Sequence, residues 1–344
     1  MASSPSPSST TVERGCSANI SAIHEDILQT HILTRLDGPS LASTSCTSPH
    51  LNFLSSQRDL WFNICSSTWP STRNPRVLHV ISSFLPDGPR SFFSASFPPV
   101  MSNSHSSANT TPFPPELISA VDIYYKNELI FSRVTETEAE SSWFNCSPFR
   151  IDMLDPKDTC QTMIRPPENE EDLFTLSEEL ELSWILIDPA GKRAMNVSSN
   201  KPVSVQRHWL SGEVHARFGL VLSGEPKGRA SEFVQCGILV TCGGGTQGGG
   251  GGMHVREVSL QMEDMDGKFL KGKGSLGIIQ RAFEGKKGIK GRMGEEGKRR
   301  DERFLKMKRE RKEKKLRNEG TLDVLCVAFG ILVFASLGLI LLLK

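Results

Sequence analysis

Twenty consecutive residues, Val324 to Leu343, carry no charge. As a helix rising about 1.5 Å per residue they are roughly 30 Å long, which matches the hydrocarbon core of a bilayer. A helix buried in a globular core is usually shorter and amphipathic. This one is apolar on every face, relieved only by small residues such as Cys326, Gly330, Ser336 and Gly338. No sustained small-xxx-small spacing argues for helix pairing. A transmembrane helix is therefore expected over 321–344.

The flank gives the orientation. Residues 298 to 317 read "KRRDERFLKMKRERKEKKLR", with twelve Lys/Arg against four Asp/Glu. Positive charge beside a span stays on the cytosolic side and favours anionic lipid. The opening "MASSPSPSSTTVERG" has no apolar core of a secretory signal. The expectation is a single-pass C-terminal anchor with the body on the cytosolic face of the endoplasmic reticulum or another organelle's outer membrane. A basic run can also be a nuclear or nucleic-acid signal. Here it abuts the span, and the overall charge of +1 hides a mildly acidic body, so nucleic acid is not an expected partner. Eight cysteines without a C-x-x-C pair point to neither a zinc site nor a disulfide framework. Free thiols fit a reducing compartment, in which the four sequons at Asn19, Asn109, Asn145 and Asn196 carry no consequence.

The pattern changes along the body. Residues 1–18 are rich in Ser, Pro and Thr and are expected to be disordered. Residues 19–66 have helical periodicity, and 67–116 hold short helix signals and a Ser/Pro linker. Within the latter, Asn74-Pro75 looks like a cap followed by Pro at the first helical position. From 117 to 282 the chain turns to short runs rich in β-branched and aromatic residues: "SAVDIYYKNELIFSRV", "SSWFNCSPFRIDML", "LELSWILIDPAGKRAMNV", "KPVSVQRHW", "GEVHARFGLVL", "EFVQCGILVTC" and "MHVREVSLQM". About seven strands without long helices between them predict an antiparallel sandwich or barrel. Residues 283–320 form a basic, partly helical spacer. The fold class is α+β: a small N-terminal helical unit, a mainly antiparallel β domain and a C-terminal transmembrane helix.

The helical stretch is the informative one. In "ISAIHEDILQTHILTRLDGPSLASTSCTSPHLNFLSSQRDLW", residues 20–61, Ile23, Ile27 or Leu28, Ile32 and Leu36 recur on one apolar face. Asp37-Gly38 stops that helix, Pro39 opens the next with Leu41 inward, and Ser48-Pro49 starts a third. Three short helices bury little surface alone, so a partner or a following domain is expected to support them. This stretch resembles an F-box, with its leading hydrophobic residue, acidic first turn, "ILTRL" helix, "SLA" second helix and closing Leu60-Trp61. It departs in having Ile23-His24 for the usual Leu-Pro, and His50 near where a tryptophan is common. The segments "STWPSTRNPRVLHVISSF", "WFNCSPFRIDMLDPKD", "LSWILIDPAGKRAMNVSS", "PVSVQRHWLSGEVHARF" and "HVREVSLQMEDMDGK" extend the likeness, over roughly residues 19–282, to a group of plant F-box proteins.

The resemblance implies a substrate receptor of a Skp–cullin–F-box ubiquitin ligase. Ile23, Ile27, Leu28, Ile32, Leu36, Leu41 and Trp61 would then dock on the Skp adaptor or hold the helices together; their spacing does not sort them. The β region would hold an unknown protein substrate. Catalysis would belong to partner subunits, so no catalytic residue, cofactor or metal is expected. The alternative is a tail-anchored β-sandwich that binds lipid or sugar and carries a degenerate F-box.

Other motifs have plainer explanations. "TCGGGTQGGGGGM", residues 241–253, lacks the Lys-Ser/Thr of a phosphate loop and reads as a long hairpin connection. "GKGSLG", residues 272–277, fits G-x-G-x-x-G, but no βαβ unit surrounds it, so it reads as a turn before a short final element. His208-Trp209 and His215 fall in adjacent strands and could approach each other. The acidic residues at 168–172 and 178–181 read as solvated faces.

Overall fold

A computed structural model describes residues 23–99, 112–224, 233–244, 252–288 and 293–343. The chain groups into two compact units, Met1–Leu60 and Trp61–Lys344. The expected disorder of 1–18 and most of the expected linker lie outside the described residues.

In the first unit, α1 (Glu25–Ile27) starts at His24, whose Nδ1 accepts from the Asp26 amide. Acidic Glu25 and Asp26 favour that end of the helix. The helix then widens into a π turn over Leu28–Ile32 and tightens into a 3-10 turn over Leu33–Arg35. Thr30 and Thr34 each donate to the carbonyl four residues back, a bond that bends helices. Asp37 caps α2 (Gly38–Ser45) through the Ser40 amide, and Ser48 caps α3 (Pro49–Ser55) through the Leu51 amide. Both helices carry Pro in their first turn, where its missing N–H costs nothing.

Helix α4 (Arg58–Thr68) contains the boundary, and the second unit continues with α5 (Pro75–Ser82) and α6 (Pro89–Ala95). Trp61, Trp69, Phe84, Phe92 and Phe93 are buried there, with ring centroids 5.2 to 6.3 Å apart in successive pairs. Asn74 caps α5 through the Arg76 amide, as its sequence suggests.

Ten strands follow among the described residues. β1 (Glu116–Tyr125), β2 (Glu128–Glu138), β5 (Leu180–Asp188) and β6 (Arg193–Asn196) form one antiparallel sheet in the order β2-β1-β5-β6. The second sheet runs β3-β10-β9-β8-β7: β3 (Arg150–Asp152), β10 (His254–Asp264), β9 (Phe233–Gly243), β8 (Val214–Ser223) and β7 (Ser204–Arg207), with β4 (Cys160–Gln161) also on β10. Alternate residues of both sheets share one core: Leu117, Val121 and Ile123 from β1, and Ala216, Phe218, Leu220 and Leu222 from β8. The opposite face of β1 meets the helical layer. There the buried Asp122 carboxylate accepts from the Ser71 amide (2.9 Å), the Ser71 hydroxyl (2.5 Å) and the Ser132 hydroxyl (2.7 Å). Burial raises its pKa, and those hydrogen bonds oppose the rise.

Several local expectations change. "SAVDIYYKNELIFSRV" is not one strand but the β1–β2 hairpin, turned by Lys126 and Asn127 with φ of 51° and 62°. That is the backbone a tight right-twisted hairpin requires. "SSWFNCSPFRIDML" gives α7 (Ser142–Cys146) and only the short β3. The acidic stretch after Glu168 forms α8 (Glu170–Glu179), capped by Asn169. "GKGSLG" is not a turn but the first part of α9 (Gly272–Glu284). A Cβ on Gly272 would lie 2.1 Å from the Phe144 carbonyl oxygen, so the start of α9 packs directly on the α7 backbone. Finally, much of the basic spacer is helix: α10 runs from Met293 to Leu342.

Candidate functional site

The first unit sorts its apolar residues into two sets. Leu28 and Leu41 are buried, together with Leu54 of the third helix and with Leu33, which the sequence pattern did not single out. Ile23, Ile27 and Ile32 remain 38, 49 and 41% exposed, and Leu36 is half-buried. The π turn explains the division. The Leu33 amide bonds to the Leu28 carbonyl, so residues five apart stack along this stretch. Leu28 and Leu33 thus share the inner face, while Ile27 and Ile32 share the outer one.

The outer set has a neighbour that periodicity missed. His50 Nδ1 lies 3.6 Å from Glu25 Oε1, which brings α3 alongside the start of α1. Gln29 Nε2 donates to Gln57 Oε1 and fixes the other end of that pairing. Phe53, one turn after His50, is 70% exposed. Isolated surface apolar residues need no explanation, but several on neighbouring elements mark a contact surface. Of the remaining candidates, Trp61 lies in the second unit, buried with its ring 5.4 Å from Phe93 and the Arg90 guanidinium 5.7 Å above it.

An open groove of about 680 Å³ lies between α5, the ends of β1 and β2, and the β5–β6 turn. Glu116, Glu136, Glu138 and Glu140 line it with Arg76 and His79; Arg76 pairs with Glu116, and its Nε lies 3.8 Å from Glu136. His208 and His215 do approach, with centroids 5.5 Å apart. His208 is engaged locally: its Nδ1 accepts from the Ser211 amide. Among the described residues no group of three or more His, Cys, Asp or Glu side chains is arranged to hold a metal ion.

The "LSWILIDPAGKRAMNVSS" segment is occupied with its own hairpin. Asp188 accepts from the Gly191 amide and from Arg193, whose guanidinium stacks 5.5 Å over Phe283. Trp184 Nε1 donates to Ser119, and the Asn196 amide side chain bridges the Trp184 amide, the Ser198 amide and the Ser183 hydroxyl.

A probable F-box protein of Arabidopsis thaliana is 47% identical over 337 residues, 97% of this chain and 96% of its own length. The chain belongs to this family of plant F-box proteins. A second Arabidopsis F-box protein is 44% identical over 95% of this chain and 97% of its own length. A third is 47% identical over 81% and 78%. No family model matches the chain, and no solved structure matches it. The membership covers the helical stretch and the β region alike. In this F-box protein, α10 is long and apolar enough to cross a membrane by length and composition, with a mean hydropathy of 2.8 over its most apolar part, none of it buried.

Proposed function

We propose that the chain is the substrate-recognition adaptor of a Skp–cullin–F-box ubiquitin ligase, tethered to a membrane by residues 321–344 with its body in the cytosol. Ile23, Ile27 and Ile32 meet the Skp adaptor, with Leu36 at their margin and Phe53 beside them. Leu28 and Leu41 hold the first unit together from within, and Trp61 holds the aromatic cluster of the second. The β region, residues 117–282, presents the protein substrate, and the ligase chemistry belongs to the partner subunits.

One observation carries this reading: an F-box family member leaves Ile23, Ile27 and Ile32 exposed, just before and along its first helical stretch, while a separate leucine set fills the inside. The test is a pull-down with a Skp adaptor, using the full chain in detergent. Ile27→Asp with Ile32→Asp should abolish capture, because each would bury a charge in an apolar contact, while the melting profile of the free protein stays within a few degrees of wild type. Undiminished capture by the folded double variant would sink the proposal.

A second reading, a membrane-anchored β-sandwich binding module without a ligase role, is favoured by Ile23-His24 standing where Leu-Pro is usual. It predicts no capture even by the unmodified chain.

A further inference from the structure

The segment docked on the β domain and the apolar tether belong to one continuous helix, α10. α10 docks on the second sheet through positions 297, 301, 304, 308 and 311, a spacing of four and three that keeps one face inward. At the first, a Cβ on Gly297 would come within 3.1 Å of Ser199, so the helix backbone lies close to that loop. Asp301 is buried and accepts from the Gln235 side chain of β9. Phe304 is fully buried among Val221, Met265, Phe233 and Met307. Lys308 pairs with Glu263 at 2.6 Å, and Arg311 with Asp266 at 3.0 Å.

These contacts give the direction of travel. Gly219 and Val221 lie toward the last residues of β8, and Glu263 and Asp266 lie at and just beyond the last residues of β10. Ser223, Phe233 and Asp264 mark one end of the sheet, and Val214, Cys242 and His254 the other. α10 therefore leaves the sheet at the Asp264–Lys268 turn. From Arg311 to Thr321 it has ten residues to go, about 15 Å of helix. The β7–β8 hairpin, with Trp209 87% exposed at its tip, stands at the far end of a ten-residue strand, roughly 30 Å away.

We propose that α10 is a rigid strut that turns the 264–268 end of the second sheet toward the bilayer and holds the Trp209–Leu210 hairpin away from it in the aqueous phase. This rests on the membrane reading above and adds a height and an orientation to it. The strut limits what the β domain reaches: soluble partners have access to the hairpin end, and only lipid and the membrane-proximal parts of other proteins meet the 264–268 end.

The test uses the full chain in phosphatidylcholine–phosphatidylserine vesicles with an acceptor dye on the headgroups. A donor is placed at Lys268 or at Ser211 by an incorporated non-natural residue. Transfer from 268 should exceed transfer from 211 by about threefold or more, given the roughly 30 Å of strand between them. Glu313→Pro with Lys315→Gly, which breaks the helix below the body, should bring the two signals together. Equal transfer in the unbroken chain, stronger transfer from 211, or an asymmetry that survives the break would each overturn the strut. Failure of the chain to float with the vesicles would instead refute the membrane reading and is scored separately.

Discussion

At the scale of single residues, adjacent side chains in one short helix have opposite consequences. Leu33 is buried and Ile32 beside it is not. Leu33→Ala should destabilise the first unit by about 2–5 kcal/mol, whereas Ile32→Ala should stay within about 0.5 kcal/mol; denaturant unfolding followed by circular dichroism separates the two. Burial sorts the thiols in the same way. It pushes Cys65, Cys236 and Cys242 up to about 12, while Cys46 and Cys146 are exposed. At pH 8 an alkylating reagent should modify Cys46 and Cys146 within minutes and leave the three buried thiols unmodified until the protein unfolds, as read by peptide mass mapping. Sequence periodicity finds the apolar character of residues 23–36 but not its direction. A 3.6-residue period puts Leu28, Ile32 and Leu36 on one face and Ile23 and Ile27 on another, whereas the π turn pairs residues five apart, so that Leu33 joins Leu28 inside and Ile32 joins Ile27 outside.

Among the elements, turn chemistry decided what could be read. Asp188-Pro189-Ala190-Gly191 announces a turn, and β5 and β6 flank it as an antiparallel pair. Lys126-Asn127 gives a weaker signal, Asn alone without Gly or Pro, yet both residues take positive φ. Asn tolerates that region because its short polar side chain bonds locally; a β-branched residue does not. Asn127→Ile should therefore cost about 1–2 kcal/mol, and Asn127→Gly should be neutral or slightly stabilising. A thermal melt of the two variants checks the order, and a melt that ranks Ile above Gly would refute the turn geometry. Helix α8 was hidden differently. Its acidic residues look like a solvated run, and only Leu173 and Leu176 of its ten residues are buried, too few to set a clear period. By contrast, the caps at Ser48 and Asn74 were legible because one side chain and one neighbouring proline settle each of them, whereas Asp37-Gly38 reads as the end of the first helix and Asp37 in fact caps the second.

For the whole molecule, the joint between α10 and the second sheet is the part least accessible from sequence. Its residues read as a basic spacer, and only a sheet supplied from elsewhere in the chain makes Asp301 a buried group. Burial raises the pKa of Asp301; Arg217, Gln235 and Lys308 oppose the rise, and Glu302 adds to it. An acid with a raised pKa binds its proton more tightly when docked than when released. Docking is therefore strongest at low pH and weakens as pH climbs from the ordinary carboxylate range through the raised value of Asp301, after which it levels. The slope in that window is assigned to Asp301, the buried carboxylate of the joint, which the Lys308–Glu263 and Arg311–Asp266 pairs adjoin. Amide protection of residues 297–311, measured by hydrogen exchange on the full chain, should fall with rising pH in that window after correction for the intrinsic exchange rate. Asp301→Asn keeps an oxygen for Gln235 and removes the titration, so its protection should be flat there. Identical corrected profiles for the two proteins would show that Asp301 titrates alike in the docked and released states, and that its burial in the joint does not set the strength of docking.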